Sequence, residues 1–303
     1  MLSFLSPSLA TALLPALRRS GPADSRAKAA ATAPVAGPAV KIAAQGIQRR
    51  FPVKGGPALL ALEAVDLEIR RGEFLALVGP SGCGKSSFMD IVAGLTSASA
   101  GSVLIDGKPV TGPGLDRGVV FQGYALFPWR TVLGNIEFGL EVQQKPKAER
   151  QATAQRYVEL VGLRGFEDRY PHQLSGGMRQ RVAIARALAY DPEILLMDEP
   201  FGALDAQTRE RLQLELLRIK HSTHKTFLFV THSIDEAIVL ADRVAVMTSR
   251  PGTIKTVLDV SFPAQRREDP LFRNDPAFIA LRERVWQALH DEVDKAQDEE
   301  RAS

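Results

Sequence analysis

The chain has 303 residues but only one cysteine, Cys83. A single cysteine cannot form an intramolecular disulfide, so a disulfide-stapled scaffold is excluded and a reducing compartment is favoured. The sequence also lacks any uninterrupted apolar run of the ~18–20 residues that a membrane-spanning helix needs. If the protein acts at a membrane, we expect it to do so through another chain.

Long runs of like charge are absent too. The 38 basic residues only slightly outnumber the 35 acidic ones, and the formal charge of +3 is small for this length. Such a balance gives no more than a mild indication of nucleic acid or acidic lipid as a partner. A hydrophobic content of 45% is ordinary for a globular chain that can bury a substantial core.

The N-terminal segment differs in composition from the rest. Residues 20–39 are rich in Ala, Pro and Gly and poor in large apolar side chains. They cannot bury enough surface to offset the entropy of ordering, so we predict that residues 1–39 are mostly disordered. The alternative is a short amphipathic helix over 5–17 that contacts a membrane or a partner. Arg18 and Arg19 follow the apolar stretch, the reverse of their order in a secretory signal.

From Val40 onward, short apolar or β-branched runs alternate with helical patterns. The runs predict strands at 65–69, 74–78, 119–121, 194–197, 226–230 and 244–247. The helical patterns lie at 86–95, 148–161, 177–189, 206–220 and 233–240. This alternation predicts an α/β fold with a largely parallel sheet covered on both faces. A strand at 253–260 and a helix at 276–293 should pack back on the core.

A glycine-rich loop follows the strand at 74–78 and opens into a helix, which is the context that a phosphate-binding loop requires. Its amide groups should point at a nucleotide β-phosphate, aided by the helix dipole. We expect Lys85 to reach the β- and γ-phosphates and the Ser86 hydroxyl to hold Mg²⁺. We interpret Cys83 as a small side chain without a chemical role rather than as a catalytic thiol. The predicted nucleotide-binding residues here are Gly79, Pro80, Ser81, Gly82, Cys83, Gly84, Lys85, Ser86 and Ser87.

Two carboxylates end the apolar strand at 194–197. Asp198 should lie at the carboxyl edge of the sheet, where it can orient the Mg²⁺ shell. Glu199 would then polarise a water molecule for attack on the γ-phosphate. Paired acids after a strand can also be an ordinary helix cap, but the phosphate-binding loop upstream favours the functional interpretation.

A second glycine-rich loop, Leu-Ser-Gly-Gly-Met-Arg-Gln-Arg over 174–181, opens directly into a helix. Ser175 and the amides of Gly176 and Gly177 form a second anion site at that helix start. Residues 162–174 introduce a mainly helical insertion that carries this loop. Together with the first loop, about ninety residues earlier, this pattern resembles the ATP-binding cassette (ABC) ATPases, over roughly residues 40–260.

The resemblance implies a fold and a set of domains. It implies a P-loop ABC cassette over 40–262, with a mostly parallel core sheet and flanking helices. An antiparallel β-subdomain and a helical signature subdomain, at about 125–180, would complete the cassette. Residues 263–303 would form a C-terminal linker and a helix that packs on the core.

The resemblance also assigns residues by motif. Gln122 matches the glutamine that touches Mg²⁺ and the attacking water, and His232 matches the switch histidine at the γ-phosphate. Asp205 falls in the loop that crosses between subunits, and Gln180 belongs to the signature helix. Phe51 is the candidate for stacking on adenine, although an aromatic there can equally belong to the core.

The same resemblance implies an assembly. Two subunits would pack head-to-tail as a homodimer. The second glycine-rich loop of each subunit, residues 174–181 and called the signature loop below, would then cap the γ-phosphate held by the other subunit. A single cassette without a fused membrane domain favours a bacterial importer ATPase. Segments 124–136 and 246–252, with the tail over 269–282, are similar to ATPase subunits of nitrate, sulfonate and taurine importers.

The implied partners are two integral membrane permease subunits and, indirectly, a periplasmic substrate-binding protein, with no nucleic acid. The chain would be peripheral at the cytoplasmic face of the inner membrane. The alternative is a soluble ABC ATPase acting on nucleic acid or ribosomes, suggested only by the basic charge balance. Apolar and aromatic residues over 122–136, including Phe127 and Trp129, predict a groove for a short permease helix; the alternative is a buried crossing.

Overall fold

The computed structural model describes residues 39–269 and 271–302, so the predicted disorder of 1–39 lies almost wholly outside the described residues. The strands are β1 Val40–Phe51, β2 Leu59–Arg70, β3 Phe74–Val78, β4 Ala100–Ile105, β5 Lys108–Pro109, β6 Arg117–Val120, β7 Ile194–Asp198, β8 Thr226–Val230, β9 Arg243–Met247 and β10 Ile254–Asp259. The helices are α1 Lys85–Ala93, α2 Val132–Val142, α3 Lys147–Leu160, α4 Gly176–Ala189, α5 Ala206–Ser222, α6 Ile234–Leu240, α7 Ala264–Arg267 and α8 Pro276–Ala302.

The larger sheet has six strands in the order β10-β9-β3-β8-β7-β6. The five strands from β9 to β6 run parallel, and β10 joins β9 antiparallel. Every residue of β3, β7 and β8 is buried, because helices cover both faces of a parallel sheet. This burial explains why these strands appear in the sequence as continuous apolar runs, and it confirms the predicted fold class.

The smaller sheet has four antiparallel strands in the order β2-β1-β4-β5. Its apolar residues pack with α1 and with one face of the larger sheet in a common core. Lys41 of β1 is 2% exposed, and its ammonium group pairs with Asp106, after β4, and with Glu193, just before β7. This buried cation therefore ties the two sheets together.

The helical part of the chain differs from the sequence expectation in two places. Residues 162–174 were expected to begin the helical insertion that carries the second glycine-rich loop. They form turns with one short 3₁₀ segment at Pro171–Gln173, and the helices α2 and α3 precede them in the chain. The sequence patterns gave no helix at Val132–Val142, because two glycines interrupt its pattern. Gly139 is needed there, since a Cβ atom at this position would lie 2.2 Å from the ring of Tyr190 on α4's C-terminal side.

The C-terminal helix α8 continues well beyond the predicted end at residue 293. Phe278, Val285 and Leu289 are buried on one face of it, which packs against α6 and β9. Within residues 39–269 and 271–302, no helix is both long enough and apolar enough to cross a membrane.

Candidate functional site

The first glycine-rich loop connects β3 to α1. Gly84, at the helix start, has φ of 104°, and a Cβ atom there would lie 2.5 Å from Leu62, so the position requires glycine. Lys85 is buried, and its Nζ donates to the carbonyl oxygens of Gly79 at 2.8 Å and Pro80 at 2.7 Å. The loop therefore wraps around the lysine ammonium.

A cleft of about 460 Å³ opens beside this loop. Nine of the residues predicted from sequence line it together with three that sequence reasoning missed. The predicted residues are Phe51, Ser81, Gly82, Gly84, Lys85, Ser86, Ser87, Gln122 and Glu199, and the missed ones are Leu59, Ala61 and Arg250. Residues from β1, β2, the loop and the larger sheet thus converge on one space.

Phe51 lies at the end of β1 with 37% of its surface exposed. The guanidinium group of Arg49 lies 4.7 Å from the centre of its ring. Phe51 is therefore not part of the core, which was the alternative interpretation of this aromatic residue. Its position in the cleft wall is compatible with the predicted stacking role.

The acidic end of β7 lies next to the loop. Asp198 is buried, and burial raises the pKa of its carboxyl group, while a hydrogen bond with the Ser86 side chain lowers that pKa. Ser86 and Gln122 line the adjoining cleft. Hydroxyl, amide and carboxylate oxygens are the ligands that Mg²⁺ takes in proteins, so these three side chains fit a magnesium site.

Three predicted catalytic side chains meet at the carboxyl edge of the larger sheet. Gln122 Nε2 donates to Glu199 Oε2 at 2.9 Å, and His232 Nδ1 lies 3.4 Å from Glu199 Oε1. These residues follow β6, β7 and β8, which are neighbours in the sheet. Parallel strands end at the same edge, and this is why residues far apart in sequence converge.

The second glycine-rich loop forms the start of α4. Ser175 is its N-cap, and Ser175 Oγ accepts from the Met178 N–H at 3.3 Å. Gln180 is buried, and its Nε2 has no hydrogen-bond partner among the described residues. Gly176 and Gly177 complete the loop, and no residue of 174–181 belongs to the described lining of the cleft. This loop and the cleft are therefore separate parts of one chain.

Asp205 is the N-cap of α5 and accepts from the Thr208 N–H at 2.9 Å. That backbone hydrogen bond lowers the pKa of Asp205. Ala203 and Leu204, just before it, pack close to Gly176 and Gly177, respectively. The predicted intersubunit loop and the signature loop are thus neighbours on the surface.

Cys83 is 1% exposed, and burial raises the pKa of its thiol. A buried thiol with a raised pKa forms little of the thiolate that nucleophilic chemistry needs. The structure therefore gives no support to the catalytic-thiol alternative.

An apolar groove of about 340 Å³ lies beside the segment that follows Gln122, and residues that precede Gln122, such as Leu115 and Phe121, also line it. Phe127 and Phe138 line it, and Arg186 and Tyr190 of the α4 region close one side. Trp129 is 71% exposed, and its ring centre lies 5.6 Å from that of Phe127. The segment is therefore open to solvent rather than a fully buried crossing.

Comparison with known proteins gives consistent matches. A family model described as ABC transporter matches residues 62–202. An uncharacterized ABC transporter ATP-binding protein of Methanocaldococcus jannaschii is 52% identical over 257 residues, covering 85% of this chain and 94% of that protein. The nitrate import ATP-binding protein NrtD of Synechocystis is 50% identical over 217 residues, 72% of this chain and 81% of that protein.

Two further similarities add to these. The bicarbonate transport ATP-binding protein CmpC of Synechococcus elongatus is 47% identical over 247 residues, which are 80% of this chain but 37% of that protein. Among solved structures, the dimeric ATP-binding cassette MJ0796 bound to ADP and Pi matches with a TM-score of 0.68 and 32% identity. The match covers 73% of this chain and 100% of the MJ0796 chain.

Proposed function

Because this chain belongs to the ATP-binding subunits of ABC transporters and is an ATP-hydrolysing cassette, we propose that it drives import of a small anion. The observation that carries the cargo class is the 47–50% identity to ATP-binding proteins named for nitrate import and bicarbonate transport. Sulfonates and taurine are chemically related cargoes and belong to the same proposal. Nothing observed favours the alternative of a cassette acting on nucleic acid or ribosomes.

We propose that the cleft binds ATP with its phosphates on the first loop. The Glu199 carboxylate accepts a proton from the water whose oxygen attacks the γ-phosphorus. The bond to the ADP oxygen breaks, and ADP and inorganic phosphate are the products. Gln122 orients the water, and His232 contacts the γ-phosphate; both already lie beside Glu199.

Mg²⁺ would be held by Ser86, Gln122 and Asp198. When bound, it supplies positive charge to the β- and γ-phosphate oxygens. Asp198 is suited to this because its buried carboxyl group lies beside the hydroxyl of Ser86, the second proposed ligand. Phe51, at the cleft wall, would stack on the adenine ring.

The active unit in this proposal is a homodimer. The Ser175 loop does not line the cleft of its own chain, which supports completion of each ATP site by the loop of the partner subunit. A head-to-tail pair with two-fold symmetry closes both sites at once.

The dimer would act on two integral membrane permease subunits, with a periplasmic substrate-binding protein contacting them from the other side. In this proposal the chain is peripheral at the cytoplasmic face of the inner membrane. The groove formed around Phe127 and Phe138, with Trp129 at its rim, would receive a short permease helix. An exposed apolar groove next to Gln122 can couple nucleotide state to that helix.

The cargo is tested by uptake in cells that lack the gene. We expect loss of uptake of one labelled anion among nitrate, bicarbonate, taurine and an alkanesulfonate. Wild-type protein should restore this uptake, whereas Lys85→Ala should not, because the cleft then loses its phosphate-binding ammonium. Normal uptake of all four anions in the deletion strain would contradict the cargo proposal.

A further inference from the structure

The loop that joins β9 to β10 is pressed against the phosphate-binding loop. A Cβ atom on Gly252 would lie 2.0 Å from the carbonyl oxygen of Cys83, so only glycine fits this approach. The Gly252 N–H donates to the Ala61 carbonyl oxygen at 2.9 Å, and its own carbonyl oxygen accepts from the Glu63 N–H at 3.0 Å. This loop, residues 248–252, is therefore fixed between β2 and the nucleotide cleft.

Arg250 projects from the loop 248–252 into the cleft wall. Its Nη2 atom lies 3.7 Å from the position that a Cβ atom on Gly82 would occupy. Among the backbone groups and side chains that the structure describes, none forms a hydrogen bond or ion pair with its guanidinium group. Lys85 differs, because two carbonyl oxygens already hold its ammonium group. A guanidinium group presents a fork of donors that matches phosphate oxygens.

Sheet order indicates which phosphates are within reach. Arg250 follows β9, whereas Gln122, Glu199 and His232 follow β6, β7 and β8. Strand β9 lies on one side of β3, and the other three lie on its opposite side. Arg250 therefore approaches the phosphate-binding loop from the side away from the residues assigned to the γ-phosphate.

We propose that Arg250 is a nucleotide-binding residue that contacts the α- or β-phosphate, the part that ATP and ADP share. The inference rests on the proposal that the cleft is the ATP site. Arg250 would add to the site a positively charged side chain that belongs to neither the phosphate-binding loop, the acidic end of β7 nor the loop of the switch histidine.

Helix α8 holds this arginine in place through Glu292. The Glu292 carboxylate is 3% exposed, and its Oε2 accepts from the Ser249 N–H at 3.1 Å and from the Ser249 hydroxyl at 3.3 Å. Ser249 immediately precedes Arg250. Glu292 is thus a positioning residue, and the C-terminal helix supports the nucleotide site without touching it.

Calorimetric titration of the full-length chain with ADP and with a non-hydrolysable ATP analogue tests the contact. In Arg250→Ala, we expect the Kd of both nucleotides to rise about tenfold, the effect of one charge-assisted hydrogen bond. Arg250→Lys should recover part of the affinity, because it keeps the charge but not the fork. The control Arg284→Ala removes an exposed arginine of α8 and should leave both Kd values unchanged.

The variant Lys85→Ala separates the two possible failures. If Lys85→Ala also binds both nucleotides normally, the cleft is not the ATP site. If Lys85→Ala weakens binding while Arg250→Ala matches the Arg284→Ala control, only the role of Arg250 is overturned. A loss confined to the ATP analogue would place Arg250 at the γ-phosphate and would also overturn the proposed contact.

The positioning role is tested by a double-mutant cycle. Glu292→Gln should raise both Kd values in the wild-type background but have no further effect in the Arg250→Ala background. A merely structural role would weaken binding equally in both backgrounds. Circular dichroism checks folding, and Ser249→Ala, which removes only the hydroxyl hydrogen bond, repeats the cycle if Glu292→Gln does not fold.

Discussion

Glu199 has a backbone φ of 46°, in the left-handed region that residues other than glycine rarely adopt. Its N–H donates to the Val230 carbonyl oxygen at 2.9 Å, which holds this conformation at the junction of β7 and β8. A strained conformation that its surroundings enforce is common at functional sites. At Glu199 it directs the carboxylate toward Gln122 and His232.

Replacement of Glu199 by glutamine should nearly abolish ATP hydrolysis while leaving ATP affinity unchanged. Glutamine keeps the shape of the side chain but cannot accept the proton of the attacking water, and a lost general base typically costs about 10²–10⁴-fold in kcat. Size-exclusion chromatography should show a dimer with ATP but not with ADP. Glu283→Gln, on the exposed side of α8, is the control, and undiminished turnover in Glu199→Gln would contradict the assigned role.

Sequence reasoning predicted most of the cleft because its residues follow strands or glycine-rich loops in recognisable order. Gln122, Glu199 and His232 each follow an apolar strand, and a parallel sheet brings such ends together. Arg250 also follows an apolar strand, but no motif marked it as a nucleotide ligand. Its place depends on the close approach of Gly252 to Cys83, a tertiary contact that neither periodicity nor local motif encodes.

At the scale of secondary structure, buried strands were predicted best. The apolar run at 226–230 coincides with β8, Thr226–Val230, because a strand buried on both faces leaves a continuous apolar sequence. Helix α2 was missed, since its glycines lower helix propensity and only the packing of Tyr190 explains one of them. Tertiary contacts there outweigh local preference.

The stability that helix α8 adds to the fold should depend on the negative charge of Glu292. Burial alone would raise the pKa of Glu292, but hydrogen bonds from Lys255, the Ser249 N–H and Lys295 lower it from the usual 4.5 to about 2. A carboxyl group with a lowered pKa in the folded state stabilises that state at pH values above its unfolded pKa. This contribution is lost as the pH falls toward the folded value.

Wild type should therefore be more stable than Glu292→Gln by about 2–3 kcal/mol at neutral pH. The difference should shrink as the pH falls from the usual carboxyl pKa of 4.5 toward about 2. Urea unfolding at a series of pH values measures it, with Glu283→Gln as the exposed control on the same helix. A stability difference that stays constant with pH would show that the Glu292 charge is not responsible.

At the scale of the whole molecule, the cleft and the Ser175 loop lie in different parts of the chain, and the groove around Phe127 is a third surface, the one proposed to contact the permease. Sequence motifs predicted each of them separately. That the cleft and the Ser175 loop act together across two copies was available only from resemblance, because a second copy leaves no local pattern in the sequence of one subunit.

Trp129→Asp should abolish anion uptake and membrane association while ATPase activity of the isolated chain is retained. The indole is exposed, so a charge there costs the fold little but disfavours an apolar partner helix. Phe127 is half-buried against Phe138, which makes it a less suitable test position. Trp286→Asp changes another exposed tryptophan, on α8, and should leave uptake intact. Normal uptake with Trp129→Asp would place the permease contact elsewhere.

The dimer geometry makes a prediction about mixtures of inactive subunits. Ser175→Arg should bind ATP normally but not hydrolyse it, whereas Lys85→Ala should lose ATP affinity. A mixed dimer of these two variants has one intact composite site and one doubly damaged site, because each cleft uses the other chain's loop. Equal mixtures should therefore recover up to about a quarter of wild-type ATPase activity, since half of the dimers are mixed and each mixed dimer has one working site of two.

Mixing Ser175→Arg with the double variant Ser175→Arg/Lys85→Ala is the control and should recover none. Loss of ATP binding in Ser175→Arg alone would mean that the loop acts on its own subunit's cleft.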